Sequence, residues 1–154
     1  MKKLIVLILV LAVLVYGAMP YIAVAKLTRA LENEDAITVD QIVDFDAVQA
    51  SLQDDFAMRM GIEPQSANAA DRLANSLSHM FLSMAVTPQA MVYVFKEKPR
   101  RDSMGLSTSP ATLLSHGDWS GPGTFIMNNA QGQPTLLLVR RGALNWEIVG
   151  LRLK

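Results

Sequence analysis

The chain contains no cysteine. That single absence excludes disulfides, thiolate metal sites, a cysteine nucleophile and a thioester lipid anchor, so a fold in an oxidising compartment must hold by packing alone. Histidine is nearly as scarce. Of the two present, His79 has Asn75 and Ser83 as its four-residue neighbours, which are poor zinc ligands, and no metal signature appears anywhere. None of the nine glycines opens a helix after a strand in a phosphate-cradling pattern; Gly121, Gly123, Gly132 and Gly142 read as turn residues. Aromatics make up only 6% of the chain and do not interleave with basic residues, which argues against nucleic acid as a partner. Nothing implies a cofactor.

Charge is missing from one long stretch. Between Lys2-Lys3 and Lys26 the run Leu4 to Ala25 carries no ionisable side chain except the tyrosines Tyr16 and Tyr21. As a helix it would extend about 33 Å at roughly 1.5 Å per residue, enough to cross the hydrocarbon core of a bilayer. Two readings compete. Lys2-Lys3, the apolar Leu4 to Tyr16 and the small-x-small Ala23-Val24-Ala25 form a secretory signal with cleavage near Ala25. Against cleavage, apolar residues continue past Gly17 and Pro20, and the two tyrosines sit where interfacial aromatics lie. Ile22, Leu27, Ala30 and Leu31 also carry helical spacing straight through the cleavage point. The uncleaved anchor is favoured. It predicts a membrane partner through residues 4–25, with Lys2 and Lys3 inside and the C-terminal domain on the far side.

Residues 26–154 are then the length of one domain with one core. Their charge is lopsided: residues 26–95 carry ten acidic and four basic side chains, residues 96–154 four and eight. The simplest reading is solvated faces of opposite sign. The sharper one is that Lys96, Lys98, Arg100 and Arg101 meet an anionic partner, a lipid headgroup or an envelope polymer.

Along the chain, Pro20 to Asn33 reads as a helix leaving the membrane. Thr38 with Gln41 three residues on forms a capping box, and Asp44-Phe45-Asp46 with Gln49 forms a second cap opening a helix to about Met60. Ile42, Phe45, Val48, Leu52 and Phe56 define its inward stripe. Gly61 closes it, and Ser66 caps the next helix, whose Ala70, Leu73, Leu77, Met80, Phe81 and Met84 share one face to about Ala85. Thr87-Pro88 restarts the chain with a polar cap and proline at the first helical position, although Met91 to Phe95 is rich in strand-formers. Residues 96–118 read as a long loop, the best regional suspect for function. Three strands follow, at Gly123 to Asn128, Pro134 to Arg140 and Leu144 to Leu153, joined by short turns and hence antiparallel neighbours. Three to four helices followed by a small antiparallel sheet is the α+β order.

The basic and apolar leader running into Leu27-Thr28-Arg29-Ala30-Leu31, then Val43-Asp44-Phe45 with Val48 and Ser51-Leu52, the Thr87-Pro88 restart and the closing Trp146-Glu147-Ile148-Val149 together resemble the bacterial domain-of-unknown-function 2939 family. The resemblance covers nearly the whole chain. It implies an envelope protein with one N-terminal hydrophobic segment and no established activity; with the orientation set by Lys2 and Lys3, the expectation is an inner-membrane anchor with the domain in the periplasm. The element order is also similar to the cystatin-like or nuclear-transport-factor-like cone, a fold that hosts many functions.

Candidate chemistry is thin. His79 and Asp44 are pocket candidates for a base, Asp44 with Asp46 also for an acid and base pair, and His116 with Asp118 and Ser115 or Ser120 for a triad. Each has a plainer role: a helix-side histidine, helix caps, loop residues. Met58, Met60, Met80, Met84 and Met91 fall at core spacing, or line an adaptable groove for a lipid or partner helix. The reading that results is a tethered, non-enzymatic domain binding an envelope protein or anionic lipid. The alternative is a small hydrolase or isomerase on a cone-shaped fold.

Overall fold

A computed structural model describes residues 2–60, 69–142 and 145–152. The leader and the first domain helix are one element, α1 (Lys2–Glu32), which Gly17 and Pro20 do not interrupt. Its two halves differ. Leu4 to Val15 stand exposed on every side, whereas from Tyr16 onward one stripe turns inward, with Pro20, Val24, Leu27, Thr28 and Leu31 buried at helical spacing. The Thr28 hydroxyl, buried with them, donates to the Val24 carbonyl at 2.9 Å. The helix is thus continuous across residue 25, and Val24 and Leu27 on either side of it are both fully buried.

Helix α2 (Ala36–Ile42) starts one turn earlier than the Thr38 cap predicts. Asp35 is the cap: its carboxylate accepts from the Thr38 hydroxyl at 2.5 Å and from the Thr38 N–H at 3.0 Å. A carboxylate outcompetes a hydroxyl here because it accepts twice and complements the positive end of the helix. Those bonds, the hydroxyl first, hold the Asp35 carboxyl below its ordinary value of 3.8. Because the folded value is depressed, the stabilisation is complete above the unfolded pKa and fades as pH falls through the folded one. Asp35→Ala is expected to lower the melting temperature at pH 7, with the gap to the parent chain closing as the pH drops below about 4. A gap that stays constant down to pH 2 would refute the cap.

Helix α3 (Phe45–Met60) opens where the second cap was expected, the Ala47 N–H donating to Asp44 Oδ1 at 3.0 Å. Of its expected stripe, Ile42, just before it, and Val48 are buried, Phe45 and Leu52 are half-buried and Phe56 emerges into solvent. Helix α4 (Ala69–Ala85) follows; the Gly61 stop and Ser66 cap lie outside the described residues. Helix α5 (Pro88–Phe95) confirms the Thr87-Pro88 start, with the Ala90 N–H on Thr87 Oγ1 at 3.2 Å, and its strand-forming residues Met91, Val92 and Phe95 are buried.

The expected loop 96–118 is corrected. It folds into two short helices, α6 (Lys98–Ser103) and α7 (Pro110–His116), and leads into an extra strand. Strands β1 (Gly117–Gly121), β2 (Thr124–Asn128), β3 (Pro134–Arg140) and β4 (Trp146–Leu151) make a four-stranded antiparallel meander, one strand more than the periodicity predicts. Register pairs Phe125 with Leu138 and Leu138 with Ile148, so Phe125, Met127, Leu136, Leu138, Trp146 and Ile148 share one buried face. Helices α1, α2, α3, α5 and α7 pack around that core, α3 lying along β4. The free edge of β4 is closed where the Asp44 N–H donates to the Ile148 carbonyl at 2.9 Å, beside a Val43 bridge.

Two glycines make close approaches. Gly105, at φ +75°, lies so near the Asn128 carbonyl that a Cβ there would overlap it. At Gly117 a Cβ would fall 2.6 Å from Tyr21 Cε1, so only glycine lets the end of α7 come down onto α1.

Candidate arginine-lined groove

Of the four basic residues expected to meet an anionic partner, three are exposed and one is buried. Lys96 lies 5.2 Å over the Tyr93 ring, Lys98 is exposed on the first turn of α6, and Arg100 opens onto a groove. Arg101 turns the other way. It is buried, its Nη1 donating to the carbonyls of Phe95 at 3.1 Å and of Lys96, and its Nη2 pairing with Glu32 at 3.0 Å. That guanidinium joins the last turn of α1 to the C-terminal end of α5, where carbonyls have no helical partner. Arg101 is buried where its sequence neighbour Arg100 is exposed, because successive residues of a helix point about 100° apart.

The groove beside Arg100 has a volume of about 760 Å³ and is bounded by α3, α5, α6, the turn between β2 and β3, and the chain after β4. Arg59, Arg100 and Arg152 line it, and among the described lining residues there is no carboxylate. Amides and hydroxyls supply the remaining polar groups: Asn129, Gln131, Gln133, Ser103 and Thr135. Its floor is rigid for a local reason. Asn129, itself buried, accepts the Gln131 and Gln133 N–H groups on Oδ1 at 3.0 and 2.9 Å, while its own N–H donates to the Gln133 carbonyl at 2.8 Å. The buried Thr135 hydroxyl binds the carbonyls of Met104 and Met127 at 2.7 and 3.0 Å, fastening the segment after α6 to the sheet. Guanidinium groups beside the side-chain amides of Gln131 and Gln133 make a cavity suited to phosphate, sulfate or carboxylate oxygens.

Sequence reasoning missed Arg59, Arg152, Asn129 and Thr135 as members of one site. The only available signal was the Asn129 to Gln133 turn, which says nothing about what faces it.

The other candidates are placed elsewhere. Asp44 caps α3 and pairs with Arg141 at 2.9 Å, Arg141 also reaching Glu147 at 3.7 Å. Asp46 is exposed in the first turn of α3, and neither aspartate lines the groove. His79 is exposed on α4. The His116 ring bonds through Nδ1 to the Thr112 carbonyl at 2.8 Å, and the Ser115 hydroxyl donates to the same carbonyl at 2.9 Å, so both answer to the backbone of α7 rather than to Asp118. Among the described residues no group of three His, Asp or Glu side chains could hold a metal.

The methionine expectation divides. Met91 is core, whereas Met58, Met80 and Met84 are exposed, together with Leu73, Leu77 and Phe81 on the apolar face of α4. Periodicity places these residues on one face; α4 packs on α3, and the side chains named are exposed. Met60 has no described side chain.

In comparisons with known proteins, a family model described as "Protein of unknown function (DUF2939)" matches residues 9–95, more than half of the chain. No curated protein and no solved structure matches. The matched stretch runs from inside the apolar half of α1 to the end of α5, so it includes Arg59 and stops short of Arg100 and Arg152.

Proposed function

Because the chain belongs to the DUF2939 family, whose description carries no activity, its role has to be argued from its own geometry, and we propose that it is a single-span, uncleaved envelope protein of bacteria whose domain binds an anionic partner in the arginine-lined groove. One observation carries the reading: Arg100 and Arg152 open onto one cavity beside the side-chain amides of Gln131 and Gln133, and no carboxylate is among its described lining residues. The anchor half rests on α1, which is long and apolar enough to cross a membrane and which enters the domain core without a break. In the periplasmic topology Lys2 and Lys3 remain in the cytoplasm.

Placement narrows the partner. Arg101 fastens α6 to Glu32 at the far end of α1, so the groove belongs to the end of the domain remote from the anchor. A polyanion or acidic segment extending from elsewhere in the envelope fits that position better than a headgroup of the anchoring bilayer. His79 and Asp44 give the pocket-enzyme alternative no support, since neither lines the groove.

The test is titration of detergent-solubilised full-length protein with polyphosphate, as a model polyanion, at two ionic strengths. Saturable binding that weakens with salt is expected, with Arg100→Glu and Arg152→Glu each lowering affinity about tenfold or more, as for a charge-assisted contact of roughly 1.5–3 kcal/mol. Binding indifferent to both reversals would overturn the assignment of the groove.

A further inference from the structure

A second concavity has opposite chemistry. Between α1 and α7 runs a groove of about 500 Å³ whose walls include Val13, Leu14, Ala18 and Ile22 on one side and Pro110 and Leu114 on the other. Leu114 is 64% exposed and Ile22 is 52% exposed, although both belong to well-formed helices beside the core. At the domain end of this groove stands Arg29, one turn beyond Ala25.

Resting on the tethered reading above, we propose that this groove holds an acyl chain of an anionic glycerophospholipid from the leaflet nearest the domain, with Arg29 against its phosphate. The argument is one of lengths. The part of α1 that stands clear of the domain, Leu4 to Val15, is twelve residues, about 18 Å, whereas the hydrocarbon core is about 30 Å thick and needs about 20 helical residues. Tilting the helix only increases the number required. With Lys2 and Lys3 at one interface, the bilayer midplane falls about ten residues along, near Val13 and Leu14, and the far hydrocarbon boundary about twenty along, near Val24. The groove occupies that second leaflet, from Val13 to Ala25, and its cation lies where the phosphates of that leaflet would be.

The surroundings of α1 at the same depth agree. Tyr16, Tyr21, Trp119 and Trp146 gather there with Phe125, at ring separations of 4.7 to 6.2 Å, so the domain meets this stretch of α1 with aromatic rings. The turn between β1 and β2, drawn to the level of Tyr16, has few backbone groups left to satisfy. Pro122 lacks an N–H, its carbonyl accepts the Tyr16 hydroxyl, and the Gly123 carbonyl accepts the Arg140 N–H at 3.0 Å. Arg140 lies 5.6 Å over the Tyr16 ring, where a long stem can carry its charge outward. The neighbouring face of α1, beyond Ile22, is different: Lys26, Gln41, Asn145 and Glu147 line a polar recess there. Only the α7 side is built for lipid, so the domain should lean on the bilayer along α7.

The absence of cysteine makes the test clean, since each introduced thiol is unique. Full-length Leu114→Cys and Gln41→Cys, labelled with a fluorophore and reconstituted into phosphatidylethanolamine and phosphatidylglycerol vesicles, are quenched in parallel by a lipid-borne nitroxide and by aqueous iodide. The expected result is several-fold stronger nitroxide quenching at position 114 than at 41, with the reverse order for iodide. Native mass spectrometry of the detergent-solubilised chain should show one retained phosphatidylglycerol, lost in Ala18→Trp, which fills the groove, and reduced about tenfold in Arg29→Glu. Leu114→Gln, at an exposed position, serves as a second groove variant whose folding is not at stake. Equal iodide access at 114 and 41, or a lipid adduct indifferent to all three variants, would overturn the groove assignment while leaving the tether intact. Failure of the chain to enter vesicles would sink the tether and the groove together.

Discussion

A chain shortened to begin at Lys26 is expected to lose its cooperative thermal transition, whereas one shortened to begin at Tyr16 should keep it. The contrast follows from how α1 is divided. Residues 2–15 touch little of the domain and their removal should cost it almost nothing. Residues 16–25 contribute Pro20 and Val24 to the buried stripe, Tyr21 to an edge-on contact with Phe125 at 4.7 Å, and Tyr16 to contacts with both tryptophans. Each fully buried apolar side chain stabilises by about 1.5–3 kcal/mol, and each aromatic pair by about 0.5–1.5 kcal/mol more. Losses of this kind, taken together, match the whole stability of an ordinary domain, about 5–15 kcal/mol.

What would remain of α1 after the longer truncation is the short piece from Lys26 to Glu32. So short a helix is not stable alone, and its Leu27 and Leu31 would lose the support of the turns before them. The measurement is near-ultraviolet circular dichroism with thermal unfolding of the two truncated chains beside the full-length protein. A sharp transition and native aromatic signal in the chain beginning at Lys26 would show that residues 16–25 are dispensable, and would restore cleavage near Ala25 as a workable fate for the leader.

The same helix shows what a sequence can and cannot say here. Hydropathy marks residues 4–25 as one apolar unit because hydropathy does not distinguish lipid from protein core, and Val24 looks no different from Val15. Only the stripe 20, 24, 27, 28, 31, which continues beyond the end of the uncharged run at Ala25, signals that the helix changes solvent partway along. Proline after a polar cap was fully legible at Thr87-Pro88. The same signal at Ser109-Pro110 was hidden inside a stretch whose serine, glycine and charge content reads as loop, so α7 was missed. Strand β1 escaped for a related reason: its residues Gly117 to Gly121 include two glycines and alternate only between half-buried and exposed positions. The groove could not be read at all, because its arginines lie at 59, 100 and 152 and only the meander and the packing of α5 and α6 bring them together.

Arg101→Ala should be the most damaging single substitution among the basic residues, costing about 2–4 kcal/mol, while Arg100→Ala should stay within about 0.5 kcal/mol of the parent chain. The two are neighbours in sequence and differ in what their removal exposes. Without Arg101 the carbonyls of Phe95 and Lys96 at the end of α5 lose their side-chain donor in a place from which water is largely excluded, and the bond to the last turn of α1 is lost. The Glu32 carboxylate is 40% exposed and can be rehydrated, so the ion pair itself is the smaller part, and Glu32→Gln should cost less than about 1 kcal/mol. Arg101→Lys should fall between the two. An ammonium is a compact point charge and cannot reach the carbonyls with one arm and Glu32 with the other, as a guanidinium does. Chemical denaturation of the four variants gives the order directly. If Glu32→Gln proved as costly as Arg101→Ala, the ion pair rather than the capped end of α5 would be the source. Binding studies on the groove should accordingly vary Arg100 and leave Arg101 in place, since loss of Arg101 would weaken the junction of α1, α5 and α6 that forms one wall of the site.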